Sequence, residues 1–314
     1  MTGLARTMGN SPVVNTMNST SSYTGHKVIL VGLVTLTCFA CSGAQSTSES
    51  SSQPEEALPS NCGGTIRVAI RETGDSLDGR TGTWIQSELV STIFETLVTV
   101  NREGEVKPGL VESWQTSDGG KRVTFHLRQG VKFHDGTNFN SAAVKKWVLG
   151  YKDGPSEYLF SPVVDVKTPD TDTVIFVLKR PFPNLFHNLS SYFSGVHSPT
   201  ATENNGEQYG QEYAVGTGPY KLVEFVQRNK LVVERNPDYS WAPSWMRHPG
   251  PACPDQIIFQ TEPDTEAWIS AVTSGRAHVG VGAPPLFVDD FKSNYPDLNI
   301  HSFKRKGPSF SASI

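Results

Sequence analysis

The chain has 314 residues, 37% hydrophobic and 18% charged, which is enough apolar material for a sizeable core. Its 27 lysines and arginines against 31 aspartates and glutamates leave a net charge of -4. No basic block occurs, so nothing in the sequence asks for nucleic acid, and the mild acidity decides little beyond solubility.

The amino terminus reads as a targeting segment. His26 and Lys27 precede an apolar run over residues 28–40, followed by Cys41-Ser42-Gly43. That run is shorter than the ~20 residues a spanning helix needs, but it suits the core of a secretion signal. Ala40 before Cys41 has the pattern of a bacterial lipobox, which would place diacylglycerol on the Cys41 thiol as a lipid anchor. Cys38 stands where leucine is usual, and cleavage without lipid is the alternative. The polar leader is long, so Met17 is a second candidate start. Residues 1–40 are therefore read as leader and signal. Residues 41–62, rich in Ser, Glu and Pro, read as a disordered tether.

The folded part opens at residues 65–70, TIRVAI, alternating and β-branched as a strand should be. A Gly/Asp-rich loop follows. Residues 84–98 then carry Ile85, Leu89, Ile93 and Leu97 at intervals of four, which predicts one apolar helical face. Residues 122–127 and 131–133 flank Gln129-Gly130 and read as a hairpin, with Asp135-Gly136 a second turn signal. Asn140 is placed to cap a helix beginning at Ser141. Residues 174–178 predict another strand, and residues 220–235 a second hairpin with a polar turn at 227–230. Residues 257–260 predict a strand, Asp264 a helix cap, Gly275 that helix's end, and residues 277–281 and 299–303 two last strands. Asp289-Asp290 reads as a solvated turn.

Cys62 lies four residues before Ile66 and Cys253 four before Ile257. If the two strands are parallel neighbours, both thiols sit at one height, and a disulfide is reasonable in an exported protein. Two unpaired thiols are the alternative.

Several segments, in this order and spacing, resemble the extracytoplasmic solute-binding proteins of family 5, the peptide, opine and nickel class. They are residues 110–114, then TFHLRQGVKFHDG, GTGPYKL, ERNPDY, and a helix ending in Ser274-Gly275. The resemblance covers most of residues 63–303. It implies an α/β fold, periplasmic binding protein type 2-like (cluster C), in which a first lobe carries a β-rich inserted subdomain. The parts would be lobe I at residues 63–94 and 208–303, the inserted mixed α/β subdomain at 95–207, and the start of a crossover at 304–314. On this reading the second lobe is missing, and the chain alone is expected to bind weakly. One departure is Gly275-Arg276-Ala277-His278, where the family carries a Gly-Glu-x-Asp pattern.

In open α/β sheets ligands bind beyond the carboxyl ends of the strands. The loop from Thr73 to Trp84 lies at that edge, with Thr73 a candidate ligand contact at its start, and Trp84 offers an apolar face with one donor. The resemblance places ligand contacts at Gly82, Thr83 and Trp84, and an aromatic contact of the inserted subdomain at Tyr158. It implies capture of a peptide or other small solute for the permease subunits of an ABC importer, by a monomer outside the cytoplasmic membrane. No cofactor and no metal is implied. His126 and His134 beside Asp135 could be drawn as a metal cluster, but alternation turns His126 to solvent and favours a surface histidine. The motif at Met246-Arg247-His248 is equally weak. A ligand-sensing receptor of the same fold and a truncated, inactive product are the competing readings. A secreted hydrolase has no Gly-x-Ser-x-Gly or His-Glu-x-x-His motif to rest on.

Overall fold

The computed structural model describes residues 62–82, 87–101, 103–243, 250–282, 288–296 and 298–301. Two sheets organise it. The first joins β1 (Thr65–Ile70), β8 (Tyr220–Val226), β9 (Lys230–Arg235), β10 (Gln256–Thr261) and β11 (Val279–Gly280) in the order β11-β1-β10-β9-β8. β1 runs parallel to β10, with Ile66 opposite Ile257, and parallel to β11. β9 and β8 complete the sheet antiparallel.

The period-2 alternation of β1 explains how helices cover both faces. Val68 and Ile70 pack with Leu89, Val90 and Ile93 of α1 (Ser87–Ile93). Ala69 packs on the opposite face with Trp268 and Ala271 of α5 (Thr265–Thr273) and with Phe291 of α6 (Val288–Asn294). The Asp264 carboxylate caps α5 by accepting from the backbone N–H of Glu266 at 2.9 Å and of Ala267 at 3.0 Å. Cys62 and Cys253 are joined in a disulfide at the amino edge of β1 and β10, with Cα atoms 4.7 Å apart.

The second sheet is antiparallel. It contains β4 (Val111–Ser117), β5 (Arg122–Leu127), β6 (Val163–Lys167) and β7 (Thr173–Leu178) in the order β4-β5-β7-β6. Its inner face presents Phe125 and Phe176, edge to face with ring centroids 5.1 Å apart, to a core that includes Trp147 and Tyr151. Trp147 belongs to α2 (Ser141–Leu149), whose cap is Asn140, accepting from Ala143 N–H at 2.9 Å. Two short strands, β2 (Val98–Val100) and β3 (Val106–Pro108), and two helices, α3 (Leu185–Leu189) and α4 (Pro199–Asn205), fill the connections.

Four expectations need correction. β5 does not pair with residues 131–133; its neighbours are β4 and β7. Residues 131–139 close on themselves around Asp135-Gly136, with Phe139 N–H donating to the Val131 carbonyl. β4 is largely exposed, so it lacks the apolar alternation that reveals a strand. Within the described residues the helix predicted over 84–98 ends at Ile93. Beyond it, tertiary partners take the carbonyls, Val196 N–H bonding Glu95 O and Gly109 N–H bonding Leu97 O. Asp289 and Asp290 open α6 instead of forming a turn, where acidic residues favour a helix start. Residues 299–301 form no strand, and 302–303 lie outside the described residues. Among the described residues no helix is long and apolar enough to cross a membrane.

Candidate ligand-facing edge

The parallel strands β1, β10 and β11 end at Ile70, Thr261 and Gly280. From Ile70 the chain runs outward through Arg71, whose Nη1 donates to Thr265 Oγ1 at 3.0 Å. It then folds over the junction with the antiparallel part. Thr73 is wholly buried, its hydroxyl 3.3 Å from that of Thr261. A side chain so enclosed holds the loop onto β10. Ser76, Leu77, Asp78 and Gly79 are buried too, and the Leu77 N–H donates to the Gly210 carbonyl at 2.8 Å. Among its described residues the loop is therefore a packed abutment for most of its length, exposed at Thr81 and Gly82.

Gly82 is the point where the loop meets the segment that carries Tyr158. It has φ +66°, and a Cβ there would lie 2.7 Å from Pro155 Cβ, so both conformation and contact exclude a larger residue. Next in sequence, Ser156 Oγ donates to the Gly79 carbonyl at 2.7 Å. Tyr158 itself is 57% exposed on a single 3-10 turn. The structure thus brings Gly82 and the 155–158 segment together. Thr83 and Trp84, like Cys41, the motif at 246–248 and residues 304–314, lie outside the described residues.

The electrostatics of the abutment centre on Asp78. Its carboxylate accepts from Arg80 N–H and Nε at 2.9 Å and from Nη2 at 2.7 Å. Burial alone would raise its pKa, but the hydrogen bonds and charge of Arg80 outweigh that and hold the carboxyl below its usual range. The Arg80 guanidinium sits 5.4 Å from the centre of the Tyr209 ring. Tyr209 Oη is 2.9 Å from His197 Nδ1, and His197 Nε2 is 3.8 Å from Asp78. Burial depresses the imidazole pKa to about 4, so the ring is neutral at pH 7. A cavity of about 220 Å³ opens beside this group, between Arg80, Trp147, His197 and Thr202.

A second polar junction was not foreseen. The Glu95 carboxyl accepts from Thr217 Oγ1 at 2.9 Å, Tyr239 Oη at 2.8 Å and Trp241 Nε1 at 2.9 Å. Burial raises its pKa to about 7 despite these three donors. No sequence signal marks it, because a glutamate beside an apolar helical stripe normally faces water. His134 holds the same turn from the other side. Its Nε2 bonds the Gly218 carbonyl at 2.9 Å, and Gly216 N–H donates to Nδ1 at 3.4 Å. Burial lowers its pKa to about 4. It is a half-buried brace, whereas His126 is exposed, as its alternation predicts. A cavity of about 480 Å³ follows α1 from Ser87 to Glu95, between Tyr192 and Tyr239. At the departure after Gly275, His278 Nδ1 accepts from Arg67 N–H at 3.2 Å, and the Arg276 carbonyl accepts from Arg67 Nε at 2.8 Å.

Residues 105–312 match the family described as bacterial extracellular solute-binding proteins, family 5 Middle. The chain belongs to this family. It is 30% identical over 225 residues to the glutathione-binding protein GsiB of Escherichia coli K12, covering 70% of this chain and 42% of GsiB. It therefore spans less than half the length of that relative. Among solved structures, DppA of Helicobacter pylori, an ABC transporter-associated periplasmic binding protein in complex with the peptide STSA, is 25% identical with a TM-score of 0.62. The match covers 74% of this chain and 49% of DppA. NikZ of Campylobacter jejuni, in complex with Ni(L-His), is 20% identical with a TM-score of 0.63 over 74% of this chain and 45% of NikZ, a likeness of fold alone. The two sheets described above are thus those of one lobe of a type 2 periplasmic binding protein.

Proposed function

We propose that this chain supplies a ligand-facing wall of the substrate-binding component of an ABC importer, which captures a peptide or related small solute outside the cytoplasmic membrane. The observation that carries this reading is the contact of Gly82, in the loop that leaves the parallel strands, with Pro155, three residues before the exposed Tyr158. Tyr158 provides a flat apolar face with a polar tip, suited to a peptide backbone. Gly82 leaves the chain free of a side chain next to it. Gly82, Thr83, Trp84 and Tyr158 are the contacts, and Thr73 supports them from inside. The role is binding, with no reaction at the site.

Around this core, residues 1–40 direct export, Cys41 carries the lipid, and residues 41–62 tether a monomeric domain above the membrane. Radiolabelled palmitate incorporated by the intact chain and abolished by Cys41→Ala is the expected result, and label retained in that variant refutes the anchor. For the ligand site, glutathione and a dipeptide panel at about millimolar concentration are expected to slow amide exchange over residues 79–84 and 155–159. Protection confined to other segments, or none with any probe, would overturn the assignment. A receptor that only senses the same ligands differs in its partner: co-purification with a permease favours import.

A further inference from the structure

Arg80, in the 3-10 turn Gly79–Thr81, bonds Asp78 of its own loop and packs against Gly150 and Gly154 of the inserted part. Its Nε and Nη2 form a fork on the Asp78 carboxylate, while the guanidinium lies against the Tyr209 ring. Its outer edge rests against the chain beyond α2, where a Cβ at Gly150 would lie 3.4 Å from Arg80 Nη1. Gly154 packs against the backbone carbonyl of Arg80, and Ser156 bonds the carbonyl of the preceding residue, Gly79. Asp78 lies four residues before Gly82, and Gly154 and Ser156 lie within four residues of Tyr158. Asp78 in turn is held by Ser76 Oγ, which accepts from the Asp78 N–H at 3.0 Å, and the Ser76 hydroxyl points to the Gly210 carbonyl.

We propose that Arg80 is a positioning residue for the ligand-facing edge: clamped by Asp78, it locks Gly82 and the Tyr158-bearing segment at a fixed separation before any ligand arrives. The argument is one of preorganisation. A surface assembled from two separate chain segments loses affinity to the ordering of those segments unless something else has already ordered them. A guanidinium serves better than an ammonium here, because its planar fork holds the carboxylate in two bonds and leaves a flat face for the aromatic ring. His197, neutral and bonded to Tyr209, closes the group without adding a competing charge. The inference rests on the ligand-edge reading above, but its test needs no ligand.

Amide exchange by mass spectrometry on the unliganded full chain supplies that test. Arg80→Met is expected to speed exchange about tenfold over residues 79–82 and 154–159 while β1, β10, β5 and β7 keep their protection. Arg80→Lys retains the charge opposite Asp78 and is expected to recover part of the loss; it also carries the test if the methionine variant fails to fold, since loss of the fork alone should loosen the same two segments. Unchanged exchange in those segments in both variants overturns the proposal. So does a uniform rise across both sheets, which would mark Arg80 as a general stabiliser. Failure of glutathione and the dipeptide panel to protect the edge of the parent chain would refute the ligand reading and leave the positioning result standing.

Discussion

Two carboxylates lie inside the junction between the sheets, and they are treated in opposite ways. Asp78 has a cation, Arg80, in bidentate contact, and its pKa falls. Glu95 has three neutral donors, Thr217, Tyr239 and Trp241, and its pKa rises to about 7. Both are fully hydrogen-bonded, so satisfaction of the lone pairs is not what separates them. The difference is a compensating charge. In a poorly solvated site neutral dipoles offset only part of the lost hydration of an anion, whereas a fixed cation can offset all of it. The Asp78 junction is therefore ionised across the physiological range, and the Glu95 junction is poised to change its protonation.

The largest expected effect comes from breaking the ion pair. Asp78→Asn leaves the partly buried Arg80 without its counter-charge and should cost about 3 kcal/mol, read from the urea midpoint. A loss no greater than that of a surface substitution would mean that the two junctions do not differ as described.

Next is the turn at the Glu95 junction. Gly218 is pressed onto the end of α1, where a Cβ would sit 2.6 Å from the Thr92 carbonyl, and its own N–H bonds Ile93 O at 2.9 Å. Gly218→Ala should cost about 2 kcal/mol by overpacking, again by urea titration.

The pH arms sharpen the comparison. The folded state holds a proton on Glu95 up to about pH 7, against 4.5 for a free glutamate. This group's contribution is thus complete below pH 4.5 and is lost as pH rises towards 7. Glu95→Gln should therefore gain stability relative to the parent between pH 5 and pH 8, in about that window. His134 and His197 act in the reverse sense. Their folded pKa values of about 4 lie below the ordinary 6.5, so their contribution is complete above 6.5 and fades as pH falls through that window to 4. His134→Gln should flatten the acid limb of the stability curve. A parent curve parallel to that of Glu95→Gln would show that the glutamate titrates normally.

Tyr158→Ala gives the smallest change in stability, within about 0.5 kcal/mol, because the side chain is exposed. The same variant should weaken ligand-induced protection of residues 155–159, so the two readouts separate a contact residue from a framework one.

Much of the fold was legible in the chain. TIRVAI and QIIF announce β1 and β10 by β-branching, and their cysteines, equally spaced ahead of each, meet across the strand ends. Asn140 and Asp264 mark helix starts because an Asx side chain can satisfy only a helix's free N–H groups in that place. The hairpin of β8 and β9 followed from its polar turn. β4 escaped because an exposed edge strand needs no apolar alternation, and β6 because a five-residue strand broken by a bulge carries too short a pattern. In the site, the sequence order pointed to Gly82 and Tyr158 as separate positions, while the contact of Gly82 with the segment that carries Tyr158 depends on the residues between them folding into another sheet.

Residue order alone determined β1, β10, the caps of α2 and α5, and the motif series that marks family 5. Only the tertiary structure decided that Thr73 faces inward, that Arg80 bridges loop and inserted segment, and that Glu95 is enclosed with neutral donors. The physical reason is range. Strand, cap and turn preferences act over a few residues and are written in them, whereas the burial of Thr73 and Glu95 depends on partners far along the chain, Thr261 and Trp241, which no local pattern encodes.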